Sequence, residues 1–167
     1  FAAVAGFSIK GLPPLLHITI CLLTGAVVGV LFALIPGLLK AYFKVDEIVV
    51  TLMLNYVVVE ITKYLSQGVY KDPFSGYVST YAILESAMLK KLFNSDITAF
   101  FFIALAVLIL MQVVFKKSKL GYEITEIGLN PEFSEAAGMN VRKKILTIMI
   151  ISGAMSGLAG AGYLMSE

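Results

Sequence analysis

Few residues of this 167-residue chain could do chemistry, and the most polar of them stand in apolar surroundings. Asn55 lies near the middle of the run IVVTLMLNYVVVEITKYL, with Thr51 and Thr62 on roughly the same helical face and Met53 and Tyr56 beside it. A carboxamide left unpaired in hydrocarbon is costly, so this face must meet protein or water. Two uses fit it equally: a hydrogen bond to a neighbouring helix, and a group lining the path of a polar solute. Glu60 and Lys63, toward the end of the same run, have the i,i+3 spacing of an ion pair, and the lysine is long enough to snorkel. His17, the sole histidine, falls in the first turns of another apolar run and reads as an interfacial residue, not a proton relay. Cys21, the sole cysteine, has no partner within the chain and reads as a small core residue. The apolar runs contain no paired carboxylates, no zinc pattern of histidine and glutamate, and no nucleophile beside a base, so the expected catalytic residues and metal ligands are none. Nor is there a Gly-x-x-x-x-Gly-Lys-Ser/Thr stretch with which to cradle nucleotide phosphates.

The elements around these residues are set by composition. Hydrophobic residues make up 59% of the chain, charged residues 14%, and the mean hydropathy is +0.90, which places it among integral membrane proteins. The net charge is only +2, with the basic residues clustered beside apolar runs instead of spread over a polar face, and this argues against a nucleic-acid partner. Four runs, Leu15–Leu34, Ile48–Leu65, Ile97–Phe115 and Ile145–Met165, approach the roughly 20 residues that cross a bilayer as helix. In lipid each must satisfy its own backbone hydrogen bonds, so the expected fold is all-α and polytopic, with membrane lipid as its surroundings. The first run is entered through Gly11-Leu-Pro-Pro14 and left through Pro36-Gly37. The third is nearly featureless apart from Gln112 and is expected to face lipid. Small residues repeat every fourth position as Gly25, Gly29 and Ala33 in the first run. In the fourth run Gly153, Gly157 and Ala161 do the same on one side, and Ser152, Ser156 and Gly160 on another. Such faces let helices approach closely. Because the chain starts at Phe1 and stops at Glu167 directly after an apolar run, residues 1–167 are expected to be one membrane domain and a fragment of a longer polytopic chain.

Lysine and arginine concentrate in cytoplasmic loops, and this sets the orientation. With residues 116–144 inside, the inner loops hold eight basic residues, against three in the loop 66–96, which is then extracytoplasmic. The stretch YAILESAMLKKLF within that outer loop spaces its apolar residues as an amphipathic helix lying at the surface, a place where an external partner could dock. Within the inner loop, Asn130-Pro131-Glu132 is a helix start with a reason at each position: a capping amide, a proline where no hydrogen bond is lost, and a carboxylate at the positive end of the dipole. Gly138 is a natural stop. The result is about two turns, Pro131–Ala137, too short to hold without a partner surface.

Blocks on both sides of that helix carry a resemblance. Gly121-Tyr122, Gly128-Leu-Asn-Pro-Glu132, Ala137-Gly138-Met-Asn-Val141 and Ser152-Gly-Ala-Met-Ser-Gly-Leu-Ala-Gly-Ala161 resemble the permease subunits of bacterial ABC importers for branched-chain amino acids, simple sugars and nucleosides. Ile35-Pro-Gly-Leu-Leu-Lys-Ala41 and Val45-Asp-Glu-Ile-Val-Val-Thr-Leu-Met-Leu-Asn-Tyr56 look like the segment typical of the nucleoside and simple-sugar branch. Thr125-Glu126 departs from the arginine and alanine of that pattern, and Lys44 and Asp46 from its glycine and asparagine. The resemblance implies a non-enzymatic transport subunit of a multi-pass bacterial inner membrane protein, importing nucleosides or simple sugars by alternating access. ATP and magnesium would sit on a separate ATP-binding subunit, with none in this chain, and a second permease subunit and an extracytoplasmic substrate-binding lipoprotein would complete the assembly. Asn130, Pro131, Glu132, Ala137 and Gly138 would then form the coupling helix against the ATPase. Met53, Asn55 and Tyr56 are the candidates for the substrate pathway, and Gly25, Gly29, Gly153 and Gly157 for helix packing. The rival is a secondary transporter or channel without an ATPase, which calls for ionisable groups at mid-membrane that these runs lack.

Overall fold

A computed structural model describes residues 13–69 and 99–166, together with Val4 and Gly6. Six α-helices follow in order among them: α1 (Pro14–Phe43), α2 (Glu47–Tyr64), α3 (Ala99–Lys117), α4 (Lys119–Leu129), α5 (Pro131–Ala136) and α6 (Val141–Ser166). A π-helical turn, Leu65–Val69, continues α2. Four of these helices, α1, α2, α3 and α6, are long and apolar enough to cross a membrane. The amphipathic stretch at 81–93 and most of the loop 66–96 lie outside the described residues.

Two boundaries differ from the sequence reading. Pro36-Gly37, expected to end the first helix, lies inside α1, which runs on to Phe43. Proline removes one intrahelical hydrogen bond, yet Pro36, Gly37 and Ala41 are all buried, and a Cβ built on Gly37 would lie 3.0 Å from the Met149 Cβ of α6. Packing against α6 therefore carries the helix through its proline. The stop comes at Lys44, which adopts the left-handed conformation (φ 56°); its N–H donates to the Lys40 carbonyl at 3.2 Å and the Val45 N–H to the Leu39 carbonyl at 3.4 Å. The second difference is α4, a full helix of 11 residues in the segment from which only the Pro131 helix had been delimited. Ser118 breaks the chain direction after α3: its hydroxyl donates to the Val114 carbonyl at 2.6 Å and accepts from the Gly121 N–H at 3.2 Å, capping α4.

The core of the bundle is the antiparallel pair α1 and α6. Its register is read from the glycines. A Cβ on Gly29 would fall 2.2 Å from the Gly153 carbonyl oxygen, and one on Gly157 would fall 2.1 Å from the Gly25 carbonyl oxygen. A Cβ on Gly153 would meet that of Ala33 at 2.4 Å. One end of the seam is closed by buried Cys21 packed with Met165, the other by Gly37 against Met149. Each step of four along α1 is answered by a step of four back along α6, so backbone touches backbone where apolar side chains would otherwise hold helices 8–10 Å apart. Phe100 of α3 lies over Gly162, its ring 1.9 Å from where a Cβ would stand.

Candidate functional site

Among the described residues the basic clusters fall at one end of the bundle, where α1 and α3 finish and α2 and α6 begin. Lys40 forms an ion pair with Glu47 across the short α1–α2 connection, and Asp46 caps α2, its carboxylate accepting from the Ile48 N–H at 2.9 Å. Arg142 at the start of α6 stands 5.8 Å over the Tyr42 ring at the end of α1, a cation–π contact that ties the two ends together.

The compact element formed by α4, α5 and the following turn sits at this basic end. Asn130 caps α5: its side-chain oxygen accepts from the Phe133 N–H at 3.0 Å, with Pro131 in the first turn and Glu132 near the positive end. Ser134 is fully buried and satisfied on both sides. Its hydroxyl donates to the Asn130 carbonyl at 2.9 Å, and its own carbonyl accepts from Met139 N–H at 3.0 Å. Ala137 ends the helix, and Gly138 then turns the chain with φ +84°, a conformation that favours glycine. Asn140 caps the next helix by accepting from the Lys143 N–H at 3.1 Å. The five sequence-selected residues thus build one tightly bonded corner. Its outward face carries Leu129 at 77% and Phe133 at 65% exposure, large apolar side chains left uncovered by the described residues.

That corner is fastened to the membrane helices by a pair the sequence did not disclose. Glu123 of α4 is ion-paired with Lys144 in the first turn of α6, and Lys119 lies 3.9 Å from the same carboxylate. The hydrogen bond from Lys144 holds the Glu123 carboxyl below the usual glutamate value; partial burial opposes this and the charges of Lys144 and Lys119 reinforce it. A lysine in the first turn of a helix opposes the dipole, and Glu123 offsets that. Close by, Ile127 is buried. A Cβ on Gly121 would fall 2.0 Å from the Phe115 carbonyl oxygen, so the bend between α3 and α4 requires glycine there.

Deeper in the bundle, α1, α2 and α6 enclose a groove of about 430 Å³. Thr51, Leu54, Asn55 and Val58 of α2 form one wall, Phe32, Ala33 and Pro36 of α1 the floor, and Met149, Ser152 and Ser156 of α6 the other wall. Of the three residues selected for a solute pathway, Asn55 lines this groove. Met53 and Tyr56 do not: helical geometry puts them on the far side of α2, exposed at 68% and 72%. Glu60 and Lys63 form their pair at 2.8 Å on an exposed turn. Their spacing places the serines in a second small-residue face, yet a Cβ on Gly160, their partner in that repeat, would touch nothing within 4 Å.

A family model described as branched-chain amino acid transport system / permease component matches residues 2–166. The chain is 40% identical over 155 residues to the guanosine ABC transporter permease protein NupP of Bacillus subtilis (strain 168), covering 89% of this chain and 44% of that one. Identity to the nucleoside ABC transporter permease protein NupB of Lactococcus lactis subsp. cremoris is 30% over 165 residues, 93% of this chain and 45% of the relative. With the glucose ABC transporter permease protein TsgB13 of Haloferax volcanii it is 28% over 160 residues, 89% of this chain and 42% of the relative. The chain therefore spans a little under half the length of the curated relatives it matches. No solved structure matches.

Proposed function

This chain belongs to the branched-chain amino acid transport system permease family, and from that premise we propose that it is part of the permease subunit of an ATP-driven importer of nucleosides or simple sugars. The observation that carries the reading is the capped corner at the basic end, built on Asn130, Pro131, Glu132, Ala137 and Gly138 with Phe133 and Leu129 turned outward. The basic clusters argue that this end is cytoplasmic, in the inner membrane of a bacterium. ATP and magnesium would be held by a separate ATP-binding subunit, whose docking would cover the apolar face. A second permease subunit and an extracytoplasmic binding lipoprotein would complete the assembly. Two relatives named for nucleosides and one for glucose support the solute classes.

Mechanistically, closure of the ATPase pair would push α5. The Asn130 cap and the Ser134 hydrogen bonds hold α5, α4 and the Gly138 turn as one body, so the displacement would pass to α6 through the Glu123–Lys144 pair and the short Asn140 cap. A secondary transporter would need an ionisable group in the solute path, and the groove lining contains none.

The test is made on the full-length permease reconstituted with its ATPase and binding protein. Asn130→Ala removes the cap, worth about 1 kcal/mol, and Gly138→Val puts a branched side chain at positive φ. Both variants are expected to reach the membrane at wild-type levels yet hydrolyse at least about ten times more ATP per solute imported. Normal coupling ratios in both would remove the assignment of the corner as the ATPase contact.

A further inference from the structure

We propose that Asn55, Ser152 and Ser156 form the hydrogen-bonding walls of a solute site in the groove between α2 and α6, suited to an uncharged, hydroxyl-bearing solute. This rests on the permease reading above and adds to it the residues on α6 and the charge class of the solute.

Hydroxyls on helices elsewhere in the chain are satisfied locally: Thr24, Thr62, Ser118 and Thr147 each donate to the carbonyl four residues back, at 2.6–2.8 Å. This is the ordinary way for a hydroxyl to live on a helix in an apolar medium. Ser152 and Ser156 have the same backbone carbonyls within reach, yet their hydroxyls make no hydrogen bond among the described residues, and neither does the Asn55 amide. Three polar groups with unspent capacity thus lie at membrane depth, and all three line the same groove. Facing lipid they would be costly. Facing a wet cleft they are a ready set of donors and acceptors.

Thr51, whose hydroxyl already donates to the Glu47 carbonyl, adds a fourth oxygen as an acceptor, while Phe32 supplies a flat ring face and Met149 an adaptable thioether against which a solute ring can pack. With no acidic or basic side chain in the lining, a charged solute would lose hydration without a counter-charge. The volume of about 430 Å³ falls within the roughly 300–1,000 Å³ typical of small-molecule sites. A helix from the remaining part of a longer chain is the competing occupant, and the test separates the two.

The experiment uses the full-length permease with its ATPase in proteoliposomes, in a background without other accessible thiols. Ser152→Cys, Ser156→Cys and, as a lipid-facing comparison, Leu110→Cys (59% exposed in this chain) are labelled with a charged, water-soluble methanethiosulfonate. Both serine positions are expected to react at least about ten times faster than Leu110→Cys, since a thiolate forms readily only where water reaches. Guanosine or glucose is expected to slow that reaction at least threefold, and guanosine monophosphate to leave it unchanged. Ser156→Ala is expected to raise the KM for uptake of the protecting solute roughly two- to twelvefold, the range for one lost hydrogen bond. Labelling no faster than Leu110→Cys would show that a helix covers the groove and would overturn the site, as would labelling that neither neutral solute slows. ATP-driven uptake of guanosine or glucose by the unaltered assembly tests the permease reading separately, and labelling rates without solute do not depend on it.

Discussion

Adding a single methyl group to Gly157 should separate α1 from α6, whereas the same change three residues away should not. A Cβ at Gly157 would stand 2.1 Å from the Gly25 carbonyl oxygen and 3.0 Å from the Ala26 Cα. A comfortable carbon-to-oxygen approach is about 3.3–3.6 Å, so the helices must part by roughly 1 Å or more at that point. The obstacle is backbone held in a helix and has no rotamer to change. Gly160 has nothing within 4 Å of its would-be Cβ. Glycine to alanine favours helix by about 0.8–1.0 kcal/mol at either position, so the difference between Gly157→Ala and Gly160→Ala isolates the overpacking cost, about 1–3 kcal/mol. The chain supplies its own reporter. Cys21 is 1% exposed and packed against Met165 at one end of the same seam, so a thiol-reactive fluorogenic dye reads the opening of the seam on heating in detergent. Taking about 2–4 °C per kcal/mol for a chain of this size, Gly157→Ala should react at a midpoint about 2–12 °C below that of Gly160→Ala. Equal midpoints, or the reverse order, would refute the register of the α1–α6 pair.

Two further expectations use the same melt. Glu123 has a carboxyl held below its ordinary value of 4.5 by Lys144, so the folded chain binds fewer protons there than the unfolded one. The stabilisation from the pair is therefore complete above about pH 4.5 and lost as pH falls through the lower folded value. The gap between wild type and Glu123→Gln should be widest near pH 5.5 and shrink toward pH 3; a gap independent of pH would contradict it. Lys44→Gly relieves a left-handed φ of 56° and should be neutral to stabilising by up to about 1 kcal/mol, and a fall in melting midpoint would show that the lysine side chain matters more than its backbone.

The sequence disclosed what is periodic and local. Four apolar runs gave four spanning helices because lipid leaves the backbone no alternative, and Asn130-Pro131-Glu132 with Gly138 marked α5 because caps are made by neighbours in the chain. Pro36 misled for the opposite reason: local propensity disfavours helix there, and burial of Gly37 and Ala41 against α6 overrides it. The pairing of Glu123 with Lys144 was out of reach, since nothing in either residue's surroundings names a partner 21 positions away. Asn55 stands out by its cost in hydrocarbon, while Ser152 and Ser156 read as packing residues, because small side chains at four-residue spacing look alike whether they meet a helix or line an open groove. The free Gly160 beside them is the structural sign that their face is not packed.

These contacts also decide which parts could move against one another. Along the α1–α6 seam the approach is backbone to backbone, so sliding or rotating α6 on α1 drives Cα atoms into carbonyls, and such an interface offers few intermediate arrangements. The two helices should shift as a unit, which fixes Phe32 and Pro36 relative to Ser152 and Ser156. By contrast, α2 has no buried residue and is joined to α1 through the short Lys44–Asp46 link and the Lys40–Glu47 pair. A push delivered to α6 through Glu123 and Lys144 would therefore leave one wall and the floor of the groove fixed together and change its width at Asn55. In the proposed importer, the polar groups best placed to hold a solute are on the two walls whose separation the ATPase would control.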